Sequence, residues 1–304
     1  MNDSDEGWLE LERWVIKTRE LSSDPRAYSL ASDSLLAGDE TGMPSGVSVG
    51  AVTRAFLDSA VDSLSGALSS ITTGKIHPVA TATATRGAVE LAGVGMWVLT
   101  GTGRRGRQQR SMRVAHDSAF NAAKFFQGLA DSAKSPQNLR EDSLQAAALH
   151  RATCEEISAT AVRLGIKKTA VTARLDRTSH LKDVDEARGT DFFQRWQLCS
   201  GYAHGLAWAS AFYNRHLYTH EMEGGGSLQG GHLPEDRAFA MLGWGRHAIE
   251  ELQGTFAAGR APMPGASDDG TLFSGPREKV QKLFPGRPIE TRFIKGLSAS
   301  KFQS

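Results

Sequence analysis

Hydrophobic positions recur at helical spacing along most of the chain. Trp8, Leu11, Val15, Thr18 and Leu21 share one face, which predicts an amphipathic helix over residues 7–22. Val49, Val52, Phe56, Ala60, Leu64, Leu68 and Ile71 mark a second, longer helix closed by Gly74. Pro78 stands where a first-turn proline belongs, and 78–100 reads as a third helix, apolar nearly all round. Further helices are predicted over 107–133, 136–164, 189–221 and from Pro234 to about Ala258. Residues 23–47, with Pro25, Gly38, Gly42, Pro44 and Gly46, read as a loop holding at most one short helical turn. The run from Gly224 to Gly231 reads as a flexible connector. No period-2 alternation persists long enough to predict a sheet, and no fixed repeat is visible. The expected fold is all-α, a bundle of about six or seven amphipathic helices with irregular termini. It divides into an N-terminal helix and loop arm over 1–47, a helical bundle domain over 48–258 and a flexible basic C-terminal tail over 259–304. From Ser274 onward that tail carries seven basic and two acidic residues.

Charge changes this picture little. The 304 residues carry 35 basic and 34 acidic side chains, so net charge by itself points to no partner. Cys154 and Cys199 make neither a disulfide framework nor a zinc ligand set. The acidic N-terminus lacks a basic n-region and an apolar h-region. The longest apolar run, Gly87 to Leu99, is broken by Glu90 and too short to span a bilayer. The expectation is a cytoplasmic protein with no membrane partner, cofactor or metal. Arginine outnumbers lysine 24 to 11 and alanine and glycine abound, the bias of a GC-rich bacterial genome.

Chemistry enters where polar residues interrupt apolar helices. Arg86 and Glu90 are the only charges in the third helix, and Ser200 and His204 sit in the aromatic helix that begins Phe192-Phe193. Each pair is i, i+4 and so shares a helix face. If the faces meet, Glu90 orients the His204 imidazole and Arg86 holds a phosphate or carboxylate. The structural alternative is a salt bridge that fixes helix register.

The pairing of Arg86-Gly87-Ala88-Val89-Glu90 and Trp97-Val98-Leu99 with Ser200-Gly201-Tyr202-Ala203-His204-Gly205 resembles uncharacterised bacterial helical proteins similar to HEPN-like domains of toxin and defence systems. The resemblance covers roughly residues 50–258. It implies an RNA-linked or protein-interaction factor and, for any catalysis, metal-independent RNA cleavage with His as general acid or base. HEPN ribonucleases carry a helical Arg followed four to six residues later by His. Here Arg195 and His204 are nine apart, about 180° of helical rotation. Arg110 with His116, Arg174 with His180 and Arg215 with His220 do fit that spacing.

Residues 157–177 resemble a DNA-binding helix-turn-helix. Ala161 is small where two helices would touch, Gly165 marks the turn, and Leu164, Ile166, Val171 and Leu175 form a shared core. A second helix from Lys167 to Arg177 would present Lys167, Lys168, Thr172, Arg174 and Arg177 to a major groove. A weaker basic candidate is the cluster Arg104, Arg105, Arg107, Arg110 and Arg113. It overlaps Gly101-Thr102-Gly103-Arg104-Arg105-Gly106, a formal G-x-G-x-x-G that lacks the strand a dinucleotide site needs before it. His216 and His220 are i, i+4 without a further ligand set. Three readings therefore stand open: a HEPN-like factor, a DNA-binding regulator and a purely structural scaffold; nucleic acid and a second copy of the chain are the candidate partners.

Overall fold

The computed structural model describes residues 3–72, 76–132, 134, 136–221 and 227–262. Within them the protein is an all-α bundle carrying one small β-hairpin. Six helices exceed twenty residues: α1 (Asp3–Ser23), α3 (Val49–Thr72), α4 (Pro78–Leu99), α5 (Gly103–Asp131), α6 (Gln137–Arg163) and α11 (Glu235–Arg260). Shorter ones are α2 (Leu35–Glu40), α7 (Lys168–Thr172), α8 (Arg177–Arg188), α9 (Phe192–Ala203) and α10 (Ala207–Tyr213).

The bundle is organised around α4, which packs on α3, α8, α9 and α11. Surrounded on every side, it is buried without interruption from Ala92 to Leu99, which is why its sequence is apolar all round. Val89, Met96 and Leu99 of α4 share one core with Leu57 and Leu64 of α3 and Leu242, Ile249 and Leu252 of α11. Leu11 and Val15 of α1 and Leu36 of α2 belong to the same core. Each such leucine contributes about 2–5 kcal/mol by the usual Leu→Ala measure. Residues 23–47 hold α2 and two short 3-10 turns rather than one turn.

Helices α5 and α6 form a long antiparallel hairpin, anchored at its base by a second cluster of Val47, Met112, Ile157, Ala161, Ile166 and Val171. Helix α8 was not anticipated. Asp176 caps its N-terminus, accepting from the N–H groups of Thr178 and Ser179, and Gly189 ends it at φ 68°. The Asp185 carboxylate of α8 then accepts the N–H groups of Phe192 at 2.8 Å and Phe193 at 2.9 Å, capping α9 from outside.

The expected helix over 189–221 is three elements instead. It stops at Ala203, resumes as α10, and 215–221 is β1 (Arg215–Glu221), paired antiparallel with β2 (Ser227–His232). The glycine connector is therefore strand from Ser227 onward. Gly74 and the tail from 263 onward lie outside the described residues. No described helix is long and apolar enough to cross a membrane.

Candidate functional site

Glu90 is 8% exposed and its carboxylate is fully engaged. Arg177 of α8 donates to one oxygen. Trp196 Nε1 of α9 donates to the other at 2.9 Å, and Arg86 lies 3.7 Å from that same oxygen. The Arg86 guanidinium also covers the Trp196 ring at 5.4 Å. This hub ties α4, α8 and α9 together, which is the register-fixing role of a buried ion pair.

Ser200 and His204 do not join it. They lie one and two turns beyond Trp196, about 6 and 12 Å further along the helix. His204 is exposed and caps the C-terminus of α9, its N–H donating to Ser200 O at 3.0 Å. Gly205 follows at φ 67°, with Gly205 N–H to Tyr202 O at 3.0 Å and Leu206 N–H to Gly201 O at 2.9 Å. That is the Schellman ending, which needs a left-handed residue after the cap. The glycine beside the histidine is therefore a helix stop. The expected four-residue site of Arg86, Glu90, Ser200 and His204 is not assembled.

The same ending explains the helix-turn-helix likeness. Gly165 sits at φ 72°, Gly165 N–H reaches Val162 O at 3.0 Å and Ile166 N–H reaches Ala161 O at 2.8 Å. Ile166 then turns inward. The expected second helix over 167–177 is not continuous, because α7 spans five residues and Ala173 leaves it in an extended conformation. Lys167, Lys168, Thr172 and Arg174 nevertheless all face solvent. Arg177 is committed to Glu90.

The arginine cluster splits by position. Arg107 is buried and pairs bidentately with Asp39, Nε–Oδ2 at 2.6 Å and Nη2–Oδ1 at 2.9 Å. Arg110 lies 4.7 Å from the Trp97 ring and donates to Trp97 O at 2.6 Å. Arg113 donates to Ala173 O and Arg174 O, clasping the segment after α7. These three are structural, which corrects the reading of a five-arginine phosphate patch. Arg104 and Arg105 remain exposed. Gly101 packs against the Gly106 backbone and Gly103 takes φ 63°, so the G-x-G-x-x-G serves the tight α4–α5 turn.

Because α5 and α6 are antiparallel, Arg104 and Arg105 lie at the end where α6 stops. Arg105 reaches over Gly165, and a Cβ built there would lie 3.8 Å from its Nη2. Arg163 sits on the same turn, donating to Gly42 O at 3.1 Å. Arg105, Arg163, Lys167 and Lys168 thus gather at one exposed corner, and none has a salt-bridge partner among the described residues. Sequence spacing could not show this, since sixty residues separate Arg105 from Lys167.

Sequence reasoning also missed a buried stack. His180 of α8 lies on Trp97 at 3.6 Å between ring centroids, with Arg110 and Arg113 near the same indole. Its Nδ1 is buried without a partner among the described residues. Burial, with Arg113 and Arg110 nearby and only partial relief from Asp183 and Asp176, pushes His180 down to about 4. Cys199, on the buried face of α9, is pushed up to about 12 by burial and is not a nucleophile in that state. In β1 the helical relation between His216 and His220 is lost, because four residues of strand span roughly 13 Å. No group of three metal-binding side chains comes together among the described residues.

No protein family, no curated protein and no solved structure matches this chain.

Proposed function

We propose that this protein is a non-catalytic nucleic-acid-binding helical factor that holds duplex RNA by its phosphates. The observation that carries the reading is the basic corner at Gly165, where Arg105, Arg163, Lys167 and Lys168 converge from α5, α6 and the α6–α7 turn. Cations from separate segments, held on helix ends and open to solvent, suit a phosphate backbone. The five-residue α7 is too short to lie along a major groove and read bases, which favours sequence-independent contacts over a DNA-binding regulator. Residues 102–106 and 161–172 contain no aromatic side chain on which single-stranded bases could stack. RNA rather than DNA follows from the HEPN-like resemblance, and absence of cleavage from the dispersal of Glu90 and His204.

Fluorescence anisotropy with a labelled RNA duplex, its DNA counterpart and single-stranded RNA tests this. Four phosphate contacts predict a log–log salt slope of about −3 to −4. Removing Lys167 and Lys168 together is expected to weaken duplex binding and flatten the slope by about 2. Binding that is absent at low salt, or unchanged in Arg105→Ala/Lys167→Ala/Lys168→Ala, refutes the proposal.

A further inference from the structure

Around Glu90 the cations outnumber the carboxylate they serve. Arg177 on one oxygen and Trp196 on the other give both oxygens a donor before Arg86, 3.7 Å away, is counted. Arg86 Nε is buried without a hydrogen-bond partner among the described residues. Arg177 meets Glu90 through Nη1, and its side chain is still 57% exposed. Lys182 is a third cation beside them. Its Nζ lies 4.5 Å from the centre of the Phe193 ring, and Phe193 stacks with Trp196 at 6.3 Å and 22°. Two near-parallel rings therefore carry an ammonium over one and the Arg86 guanidinium over the other. At that separation the rings are slipped, so each leaves part of a face uncovered. Lys182 is exposed, and the Phe193 face beneath it opens to solvent.

Most acids of α8 are turned to other partners. Asp176 caps the helix, Asp183 accepts from Trp97 Nε1 at 3.1 Å, and Asp185 caps α9. Glu186 lies one turn beyond Lys182. At the rings themselves three cations face one carboxylate.

This α8–α9 site is joined to the basic corner by chain of the same charge. From Lys168 to Arg177 the chain is the short α7 followed by a non-helical link, so the two are at most about 24 Å apart. Thr172 and Arg174 are exposed along the way. That span is about seven steps of a duplex strand.

We infer that the α8–α9 site takes an unpaired nucleotide flanking the RNA duplex held at the corner. The base stacks on Phe193 in place of the Lys182 ammonium, and Arg177 and Arg86 donate to the phosphate. This rests on the phosphate-binding reading of the corner and adds what the corner lacks, aromatic rings. A nucleotide is selected because it supplies a π-face and an anion together. An apolar segment would bury the cations without partners, and a bare anion would leave the rings unused.

Fluorescence anisotropy of the full chain with labelled RNA duplexes is the test. One duplex is blunt, two carry three unpaired adenosines at the 3′ or the 5′ end, and two carry three abasic units there instead. An adenosine overhang of one polarity is expected to bind about tenfold more tightly than the blunt duplex, the effect of one base stacking on one ring. Its abasic counterpart keeps only the phosphates and is expected to gain no more than about threefold. Phe193→Leu keeps the apolar bulk and removes the π-face. It is expected to abolish the adenosine gain with circular dichroism and blunt-duplex affinity unchanged. The abasic comparison uses wild type alone, so it decides the matter even if that variant misfolds. Lys167→Ala/Lys168→Ala is expected to weaken every duplex and leave the tenfold ratio in place. A blunt duplex that binds as tightly as both adenosine overhangs overturns this inference and leaves the corner standing. So does an equal gain from abasic units, or a gain kept in folded Phe193→Leu. An overhang that binds where the blunt duplex does not supports the α8–α9 site and refutes the corner. No binding of any of the duplexes refutes both.

Discussion

Replacing Asp39 with alanine strips its paired carboxylate from a guanidinium that is 1% exposed. Asp39 is on α2 and Arg107 on α5, and the two planar groups meet through a pair of N–H···O bonds. The neighbouring Gln108 Nε2 donates to Asp39 O at 2.9 Å, so the backbone of α2 stays tethered when the side chain goes. The change therefore isolates one effect, a buried charge left without its counter-charge. Such a loss costs about 3–5 kcal/mol. In a chain of this size that lowers Tm by about 5–8 °C. Removing both partners is a different experiment. Asp39→Leu/Arg107→Met replaces two desolvated charges with apolar side chains of similar volume, which is commonly neutral or stabilising. Urea unfolding of wild type, Asp39→Ala, Arg107→Met and Asp39→Leu/Arg107→Met, read by circular dichroism at 222 nm, makes the comparison. The expected pattern is a large loss in Asp39→Ala and recovery in the double variant. A loss under about 1 kcal/mol in Asp39→Ala, or a double variant worse than either single one, refutes the reasoning.

His180 predicts a pH dependence. Its folded value of about 4 lies below the ordinary 6.5, so the unfolded chain binds the proton more tightly. The protein is expected to lose stability as pH falls from about 6.5 to 4, by about 3 kcal/mol at the limit, and to show no contribution from this group above 6.5. His180→Gln is expected to flatten that part of a Tm-against-pH curve, and parallel curves for the two proteins would sink the assignment. At the end of α9, His204→Ala is expected to change stability by no more than about 0.5 kcal/mol, as for an exposed side chain. Gly205→Ala is expected to cost about 1–2 kcal/mol, because only the glycine takes φ 67° without strain. Equal effects from the two substitutions in chemical denaturation would contradict the Schellman ending.

The long helices could be read directly from the sequence because their apolar positions repeat over six or more turns. The boundaries of α1, α3, α4 and α6 fall within a few residues of the expected ones. What failed was punctuation. Gly165 and Gly205 occupy the same backbone position in the same helix ending, yet one suggested a DNA-reading turn and the other lay inside what read as a continuous helix over 189–221. A glycine inside an apolar run has the same letter whether it permits contact or stops the helix, and only its φ separates the two. Helix α8 escaped because its start depends on Asp176 as a cap and its pattern is mostly polar. The Arg86–Glu90 pair was visible from its spacing. That Glu90 serves Trp196 and Arg177 depends on contacts spanning 106 and 87 residues, which no local pattern encodes.

The central place of α4 has a consequence during synthesis. Its apolar surface is complete once Leu99 is made, but α11, which covers it with Leu242, Ile249 and Leu252, begins at Glu235. At a translation rate of roughly 5–20 residues per second the intervening chain takes roughly 7–27 s to appear. Over that time α8 and α9 arrive to cover two of its sides, but the side that α11 takes stays open. The nascent chain therefore carries an open apolar surface, prone to aggregation, until its last long helix is made.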